Sequence, residues 1–180
     1  KSMNQTAMAI TEHGNLFSSI KIYKECQKQS IKYIHGCELY ISPNSRFEKN
    51  KDSKYYHMTV LAKNETGRLN LNKLVSLGYL EGFYYKPRID FELLEQYGEG
   101  LIILSGCMAG ELQQTLANGN IDSLDHLDIT ESSITKAKGI IKKYVNAFGD
   151  DYYLEVQSHR DNKQRKLNRV IIDLAKEMNV

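Results

Sequence analysis

The run LIILSG at residues 101–106 decides the fold class, because four consecutive large apolar residues end in a small polar turn. An uninterrupted apolar run of this length is typical of a strand that is covered on both faces, as in a parallel sheet. Parallel strands are joined by crossover connections that usually contain a helix. Segments on either side of this strand are therefore expected to alternate between strand and helix patterns.

The rest of the sequence shows this alternation. The segments that read as strands are 7–11, 32–42, 55–63, 101–106 and 152–157. The segments that read as helices are 15–28, 67–80, 91–97, 109–117, 131–147 and 161–178. The order predicts an α/β protein with a mostly parallel sheet, and both an open doubly wound sheet and a barrel fit it. The acidic stretch 119–135 is predicted to be a surface segment between two helices.

Composition restricts the class of protein. A chain of 180 residues is long enough for one domain with a real core. Its formal charge of +2 is too small for a protein that binds nucleic acid by a strongly basic face alone. The three cysteines are odd in number and widely spaced, which favours a reducing, cytoplasmic setting. No apolar run is long enough to span a bilayer, so no membrane partner is predicted.

Side chains that bind metals recur where the predicted strands begin or end. His13 follows the first strand, Glu38 lies in the second, His57 opens the third, and Cys107 and His159 follow the fourth and fifth. Sites in β/α folds gather at strand ends. Imidazole, thiolate and carboxylate suit zinc, and carboxylates also suit manganese or magnesium. The pattern therefore favours a metal-dependent enzyme.

Structural roles for the same residues stay open at this point. A single histidine at a strand end is more often a hydrogen-bonded structural residue, and His35 and His126 are read in that way. Cys26 and Cys37 are read as small core residues. Glu12 is compatible with a charge at the start of a helix. The sequence contains no CxxC or HExxH motif and no glycine-rich phosphate loop.

Three long segments carry a family resemblance. They are AITEHGNLFSSIKIYKECQKQSIKYIHGCELYI (9–41), YYHMTVLAKNETGRLNLNKLVSLGYLEGFYYKPRID (55–90) and GLIILSGCMAGEL (100–112). Together they closely resemble the polymerase and histidinol phosphatase (PHP) domain of bacterial DNA polymerase III alpha subunits, which are C-family replicative polymerases. The resemblance implies a distorted, TIM-like (β/α)7 barrel. It also implies that residues 1–180 are a PHP domain incomplete at both ends, from the N-terminal region of a larger polymerase.

The resemblance assigns roles to particular residues. The residues that match metal ligands of the family are His13, Glu38, His57 and Cys107. Glu38 is expected to bridge metals, and a partial site of Glu38, His57 and Cys107 is expected for this fragment. His159 matches a position near the cluster. We also predict that Lys86 and Arg88, in Lys-Pro-Arg, face a substrate phosphate; no catalytic residue is assigned.

The chain departs from the family pattern at two points. Glu12 stands where the family has aspartate, so a hydrogen bond to a metal ligand is expected to shift. The His-x-His motif of the family is expected before residue 1, and its Asp-x-His motif after residue 180. The four matched ligands therefore leave a trinuclear cluster incomplete in this chain.

The implied function is DNA replication as part of a DNA-directed DNA polymerase, a nucleotidyltransferase whose magnesium-dependent site lies in another domain. For the PHP domain itself, the resemblance implies a zinc- or manganese-dependent phosphoesterase that acts as a 3′–5′ proofreading exonuclease, with the isolated fragment inactive. One alternative is a non-catalytic scaffold that docks a separate exonuclease, and another is a stand-alone PHP phosphatase. The implied partners are DNA and, through the larger polymerase, the exonuclease, sliding clamp and clamp loader.

Overall fold

The computed structural model describes residues 3–51, 54–119, 129–159 and 161–180. Within them, the strands are β1 (Ala7–His13), β2 (Lys32–Ile41), β3 (Tyr56–Ala62), β4 (Phe83–Tyr84), β5 (Lys86–Ile89), β6 (Leu101–Leu104) and β7 (Tyr152–Tyr153). The helices are α1 (Ser19–Lys28), α2 (Glu65–Leu80), α3 (Phe91–Gln96), α4 (Glu111–Leu116), α5 (Glu131–Phe148) and α6 (Asn162–Met178). His126 and most of the predicted surface segment 119–135 lie outside the described residues.

The chain divides into two compact units, and the first comprises Lys1–Tyr55 and Thr59–Ile102. Its strands follow the order β4-β5-β2-β3-β6, with β1 also paired with β2. β1 and β5 both run parallel to β2, and β4 is antiparallel to β5. The core of this unit contains Cys37, Leu39, Leu71 and Leu94, each at most 2% exposed.

The second unit comprises Tyr56–Met58 and Ile103–Val180. The cut between the units falls within β3 and β6, so each of these strands contributes residues to both. Here the strand order is β3-β6-β7, and β6 pairs with β7 in parallel. Its core is formed by apolar residues of α4, α5 and α6, which are Leu112, Leu116, Ile141, Tyr144, Leu167 and Ile171.

Side-chain caps define where most of the helices begin. Asn64 accepts a hydrogen bond from Gly67 N at the start of α2, and Asp90 accepts one from Leu93 N at the start of α3. Thr130 forms a reciprocal capping box at the start of α5, and Asp161 caps α6. Such caps satisfy backbone N–H groups that have no partner inside the helix.

Helix α1 differs from the prediction in its start. It begins at Ser19 rather than at residue 15, because the Asn15 side chain accepts a hydrogen bond from Phe17 N and donates one to His13 O. That local turn replaces the first helical turn. The side chains of α1 that are buried are Ser19 and Cys26, whereas Ile20 is 72% exposed. The apolar surface of this helix is therefore only partly covered in the first unit.

The observed strand limits differ from the predicted ones in two places. The strand predicted over 152–157 is limited in the structure to Tyr152–Tyr153. It ends there because Glu155 N donates to the Ser105 hydroxyl instead of continuing the backbone ladder. The connection GFYYKPRID contains the short strands β4 and β5. The α/β class and the parallel pairing are confirmed, and the (β/α)7 barrel stays a prediction. The described helices include none with the length and apolar character needed to span a membrane.

Candidate functional site

His13 and Glu38 meet in the first unit at the ends of two parallel strands. The register of β1 on β2 places His13 opposite Glu38, although 25 residues separate them in sequence. His13 Nδ1 lies 2.7 Å from Glu38 Oε1. The imidazole is 71% exposed and the carboxylate 15% exposed, so this pair opens to solvent on the histidine side. A carboxylate that contacts one imidazole nitrogen orients the ring and fixes its tautomer.

Glu12 turns away from this pair and supports the start of α1. Its Oε2 atom accepts hydrogen bonds from Ser18 N at 3.0 Å and from Ser18 Oγ at 2.8 Å. A carboxylate at this place also interacts favourably with the positive end of the helix dipole. Of the two roles considered for Glu12, the helix-start charge is the one that these contacts support.

His57 and Cys107 meet in the second unit. His57 Nδ1 lies 3.8 Å from Cys107 Sγ, and both side chains are half-buried. The backbone of His57 also donates from its N–H to Ala109 O. Gly106, with φ +85°, passes so close to this strand that an added Cβ would lie 2.4 Å from His57 O. A glycine before Cys107 is therefore required to bring the thiol next to the imidazole.

Two buried polar residues that the sequence reading missed hold the Cys107 loop. Gln113 Nε2 donates to Gly106 O at 2.8 Å and to Ser105 Oγ at 3.4 Å. Ser105 Oγ also accepts from Glu155 N. Gln113 is 1% exposed and lies on the buried face of α4 with Leu112 and Leu116, and its polar neighbours in the sequence give no signal that marks it. Such contacts fix the backbone that carries the Cys107 thiol.

The donor chemistry of the two pairs fits a divalent metal. One pair offers an imidazole and a carboxylate, and the other an imidazole and a thiol. These are zinc ligands, and the carboxylate also suits manganese. Glu38 belongs to the first unit and His57 and Cys107 to the second, so the partial site of these three residues stays a prediction.

The other predicted site residues have different surroundings. Lys86 is half-buried with its Nζ 5.3 Å from the centre of the Tyr40 ring. Arg88 is fully buried, and its guanidinium donates to Gly82 O and Glu48 O. These main-chain contacts favour a structural role for Arg88 over phosphate binding. His159 is exposed, and its Nε2 lies 3.2 Å from Gln157 Oε1.

Cys37 and His35 have the structural surroundings expected from the sequence. The Cys37 thiol donates to Glu12 O and Asn15 O, and burial raises the pKa of this thiol to about 12. A thiol with so high a pKa stays protonated and is a poor nucleophile and metal ligand. His35 lies between Tyr33 Oη at 3.1 Å and Asn72 Oδ1 at 3.0 Å.

Comparison with known proteins identifies relatives of the whole chain. The family model described as the PHP domain matches residues 1–159. The DNA polymerase III subunit alpha of Treponema pallidum is 44% identical over 179 residues, which is 97% of this chain and 14% of that protein. The subunit of the same name from Borreliella burgdorferi is 40% identical over 183 residues, covering 100% of this chain and 15% of the relative. The subunit of the same name from Thermus aquaticus is 39% identical over 175 residues, covering 95% of this chain and 13% of the relative.

This chain therefore spans about a seventh of the length of these curated relatives.

Proposed function

The chain belongs to the PHP domain family, and from that premise we propose that it is the PHP domain of a bacterial replicative DNA polymerase. Relatives named DNA polymerase III subunit alpha support this over a stand-alone phosphatase, because each is several times longer than this chain. Under the proposal, residues 1–180 belong to the N-terminal region of a larger cytoplasmic polymerase. The nucleotidyl transfer and its magnesium ions belong to another domain.

We expect this domain to bind zinc or manganese through His13, Glu38, His57 and Cys107. The observation that carries the proposal is the 2.7 Å contact of His13 Nδ1 with Glu38 Oε1 at paired strand ends. The His57–Cys107 contact supplies a second pair of donors of the same class. Two pairs of side chains with metal-binding chemistry, one at paired strand ends and one beside a tight glycine turn, support a metal site more strongly than scattered surface histidines would.

The reaction that this chemistry supports is hydrolysis of the 3′-terminal phosphodiester of DNA. A divalent metal in such a site lowers the pKa of bound water and balances charge on the phosphoryl oxygens. In this chain, Glu38 orients the His13 imidazole, and the Ser105–Gln113 contacts hold the loop that carries Cys107. The proposed role is thus 3′–5′ proofreading within the replisome, beside the sliding clamp and clamp loader.

A scaffold function is the competing proposal. It would have the domain stabilise the polymerase and dock a separate exonuclease, with the four side chains left from an older metal site. The exposed imidazole of His13 and the half-buried Cys107 are compatible with either role. Metal content and nuclease activity, measured on the same samples, separate the two.

The experiment uses the full-length protein that contains this chain, with the polymerase carboxylates substituted. His57→Ala is compared with His126→Ala, a matched loss of one imidazole at a position without an assigned role. Bound zinc and manganese are measured by inductively coupled plasma mass spectrometry. Degradation of a 5′-labelled strand with a mismatched 3′ end is measured in parallel.

We expect bound metal in the parent, and at least about a tenfold loss of nuclease activity in His57→Ala but not in His126→Ala. Metal binding without nuclease activity in the parent would establish a metal-stabilised scaffold. A folded parent that binds no zinc or manganese would overturn the metal proposal.

A further inference from the structure

The spacing between the Cys107 thiol and the His57 imidazole is close to the one that a shared tetrahedral ion needs. Cys107 Sγ lies 3.8 Å from His57 Nδ1, and both residues belong to the second unit. A tetrahedral zinc ion with bonds of about 2.3 Å to sulfur and about 2.1 Å to nitrogen sets these two atoms about 3.6 Å apart. With the same bond lengths, the right angles of an octahedral ion would bring them to about 3.1 Å. The observed spacing is nearer to the tetrahedral value.

One buried amide contacts the loop that carries Cys107 on both sides of the thiol. Gln113 Nε2 donates to Gly106 O at 2.8 Å and lies 3.4 Å from Ser105 Oγ. A Cβ atom added to Gly110 would lie 2.5 Å from Gln113 Oε1, so the loop also packs closely against the amide oxygen. The residues before and after Cys107 are therefore packed against a single side chain of α4.

The same loop packs against β3 on its other side. An added Cβ on Gly106 would lie 2.4 Å from His57 O, and His57 N donates to Ala109 O at 3.0 Å. Gly106 thus lies between the strand that carries the imidazole and the amide of Gln113. Because the Cys107 backbone follows Gly106 directly, loss of the amide contact should change the distance from the thiol to the imidazole.

We propose that Gln113 is a positioning residue, which holds the Cys107 thiol at the spacing from His57 that one tetrahedral zinc ion needs. Gln113 acts through the backbone of Gly106 and is not itself a ligand. The inference rests on the proposed metal site and deepens it, because it names zinc rather than manganese as the ion of this pair. Thiolate sulfur also favours zinc, whereas manganese is better matched by oxygen ligands.

The test compares Gln113→Met with Gln164→Met in the full-length protein, with the polymerase carboxylates substituted. Methionine has a similar length and flexibility and removes the amide. Gln164 is the matched control, because it is a buried glutamine of the same unit, 2% exposed, whose Nε2 donates to Asn168 Oδ1 in α6. The probe is Co²⁺, which replaces zinc at nitrogen and sulfur sites and gives an absorption band when a thiolate binds it. Cys107→Ser assigns this band to the Cys107 thiol.

We expect the cobalt–thiolate band in the parent and not in Cys107→Ser. Gln113→Met should weaken cobalt and zinc binding at least about tenfold and reduce the visible bands of tetrahedral cobalt. Gln164→Met should change the affinity less than about twofold. Urea unfolding in EDTA compares the stability of the two variants without metal, so a general loss of stability can be separated from a change at the thiol.

Ser105→Ala is the second test variant, since it removes another contact of the same amide. It should weaken cobalt binding in the same direction, and the double variant with Gln113→Met should lose less than the product of the single effects. If Gln113→Met is unfolded, Ser105→Ala alone decides.

A folded Gln113→Met with the cobalt affinity and spectrum of the parent, or an equal loss in Gln164→Met, would overturn the proposal. A parent that binds cobalt through Cys107 but has no nuclease activity would contradict the proofreading function and leave this comparison valid. A parent without a cobalt–thiolate band would overturn both.

Discussion

Glu38 is the direct strand neighbour of His13, and the 2.7 Å contact between their side chains follows from the parallel register of β1 on β2. The pairing is set by the backbone ladder along seven consecutive residue pairs rather than by a flexible loop. Both side chains are therefore held in place by the strand pairing. A site that is ordered in advance loses less conformational entropy on binding.

Non-additive loss of metal affinity is the first prediction. If His13 and Glu38 bind the same ion, each of His13→Ala and Glu38→Ala should weaken zinc binding by at least about tenfold. The double variant should then lose much less than the product of the two single effects, because either change already removes the shared site. Isothermal titration with zinc gives the affinities. Strictly additive effects would show that the two side chains do not share an ion.

The three cysteines give a second prediction that needs no activity assay. Iodoacetamide at about pH 8 should label Cys107 first in the native protein, because Cys37 is fully buried with a raised pKa and Cys26 is 3% exposed. Saturating zinc should slow the labelling of Cys107 at least about tenfold, since a coordinated thiolate is not available for alkylation.

Mass spectrometry of labelled peptides measures the rate for each cysteine, and His57→Ala serves as the control in which zinc protection should be lost. Equal labelling of Cys37 and Cys107, or no effect of zinc on Cys107 in the parent protein, contradicts this prediction.

Much of the fold could be predicted from the sequence, and the exceptions have physical causes. The observed limits of β2, α2 and α6 lie within two residues of the predicted ones, because hydrophobic spacing and caps such as Asn64 mark them locally. β5 was missed because it contains a proline, which usually signals a turn. Its place beside β2, with Tyr40 opposite Arg88, depends on long-range pairing that no local pattern contains.

The candidate site was predictable in its residue types but not in its pairing. Strand ends and the family resemblance both pointed to His13, Glu38, His57 and Cys107. That His13 meets Glu38, and His57 meets Cys107, depends on strand register and on the Gly106 turn. The burial of Arg88 against main-chain carbonyls could not be predicted from the sequence either, because isolated arginines are mostly exposed.

Alkaline pH should destabilise the fold through Tyr144, which is the third prediction. Burial, followed by the charge of Glu111, raises the pKa of Tyr144 above its ordinary value, and its hydroxyl donates to Glu111 at 2.9 Å. The unfolded chain loses this proton near pH 10 while the folded chain keeps it. The contribution of Tyr144 to the free energy of unfolding should therefore be fully present below about pH 10. Above it, the loss should be about 1.4 kcal/mol per pH unit for this residue.

Urea unfolding at several pH values between about 9 and 11 measures this slope. Tyr144→Phe should cost about 1 kcal/mol at neutral pH through the lost hydrogen bond. It should also make the fall of the unfolding free energy above about pH 10 shallower, by the contribution of one tyrosine, about 1.4 kcal/mol per pH unit. Tyr153→Phe, at a residue that is 48% exposed, should leave the slope unchanged. An unchanged slope in Tyr144→Phe would contradict the assignment.

The last prediction concerns the contact that joins the start of α2 to the turn before β6. A Cβ atom on Gly67 would lie 1.8 Å from Gly100 O, a carbonyl that already accepts a hydrogen bond from Lys63 N. Gly67→Ala therefore forces the first turn of α2 away from this turn and should lower the free energy of unfolding by about 2–3 kcal/mol. Gly139→Ala is the matched control, because nothing lies within 4 Å of its added methyl group in α5. That change should instead stabilise the protein by about 0.5–1 kcal/mol, since alanine favours the helix over glycine. Urea unfolding of both variants measures the difference, and a loss below about 1 kcal/mol in Gly67→Ala would mean that α2 can shift without disturbing the unit.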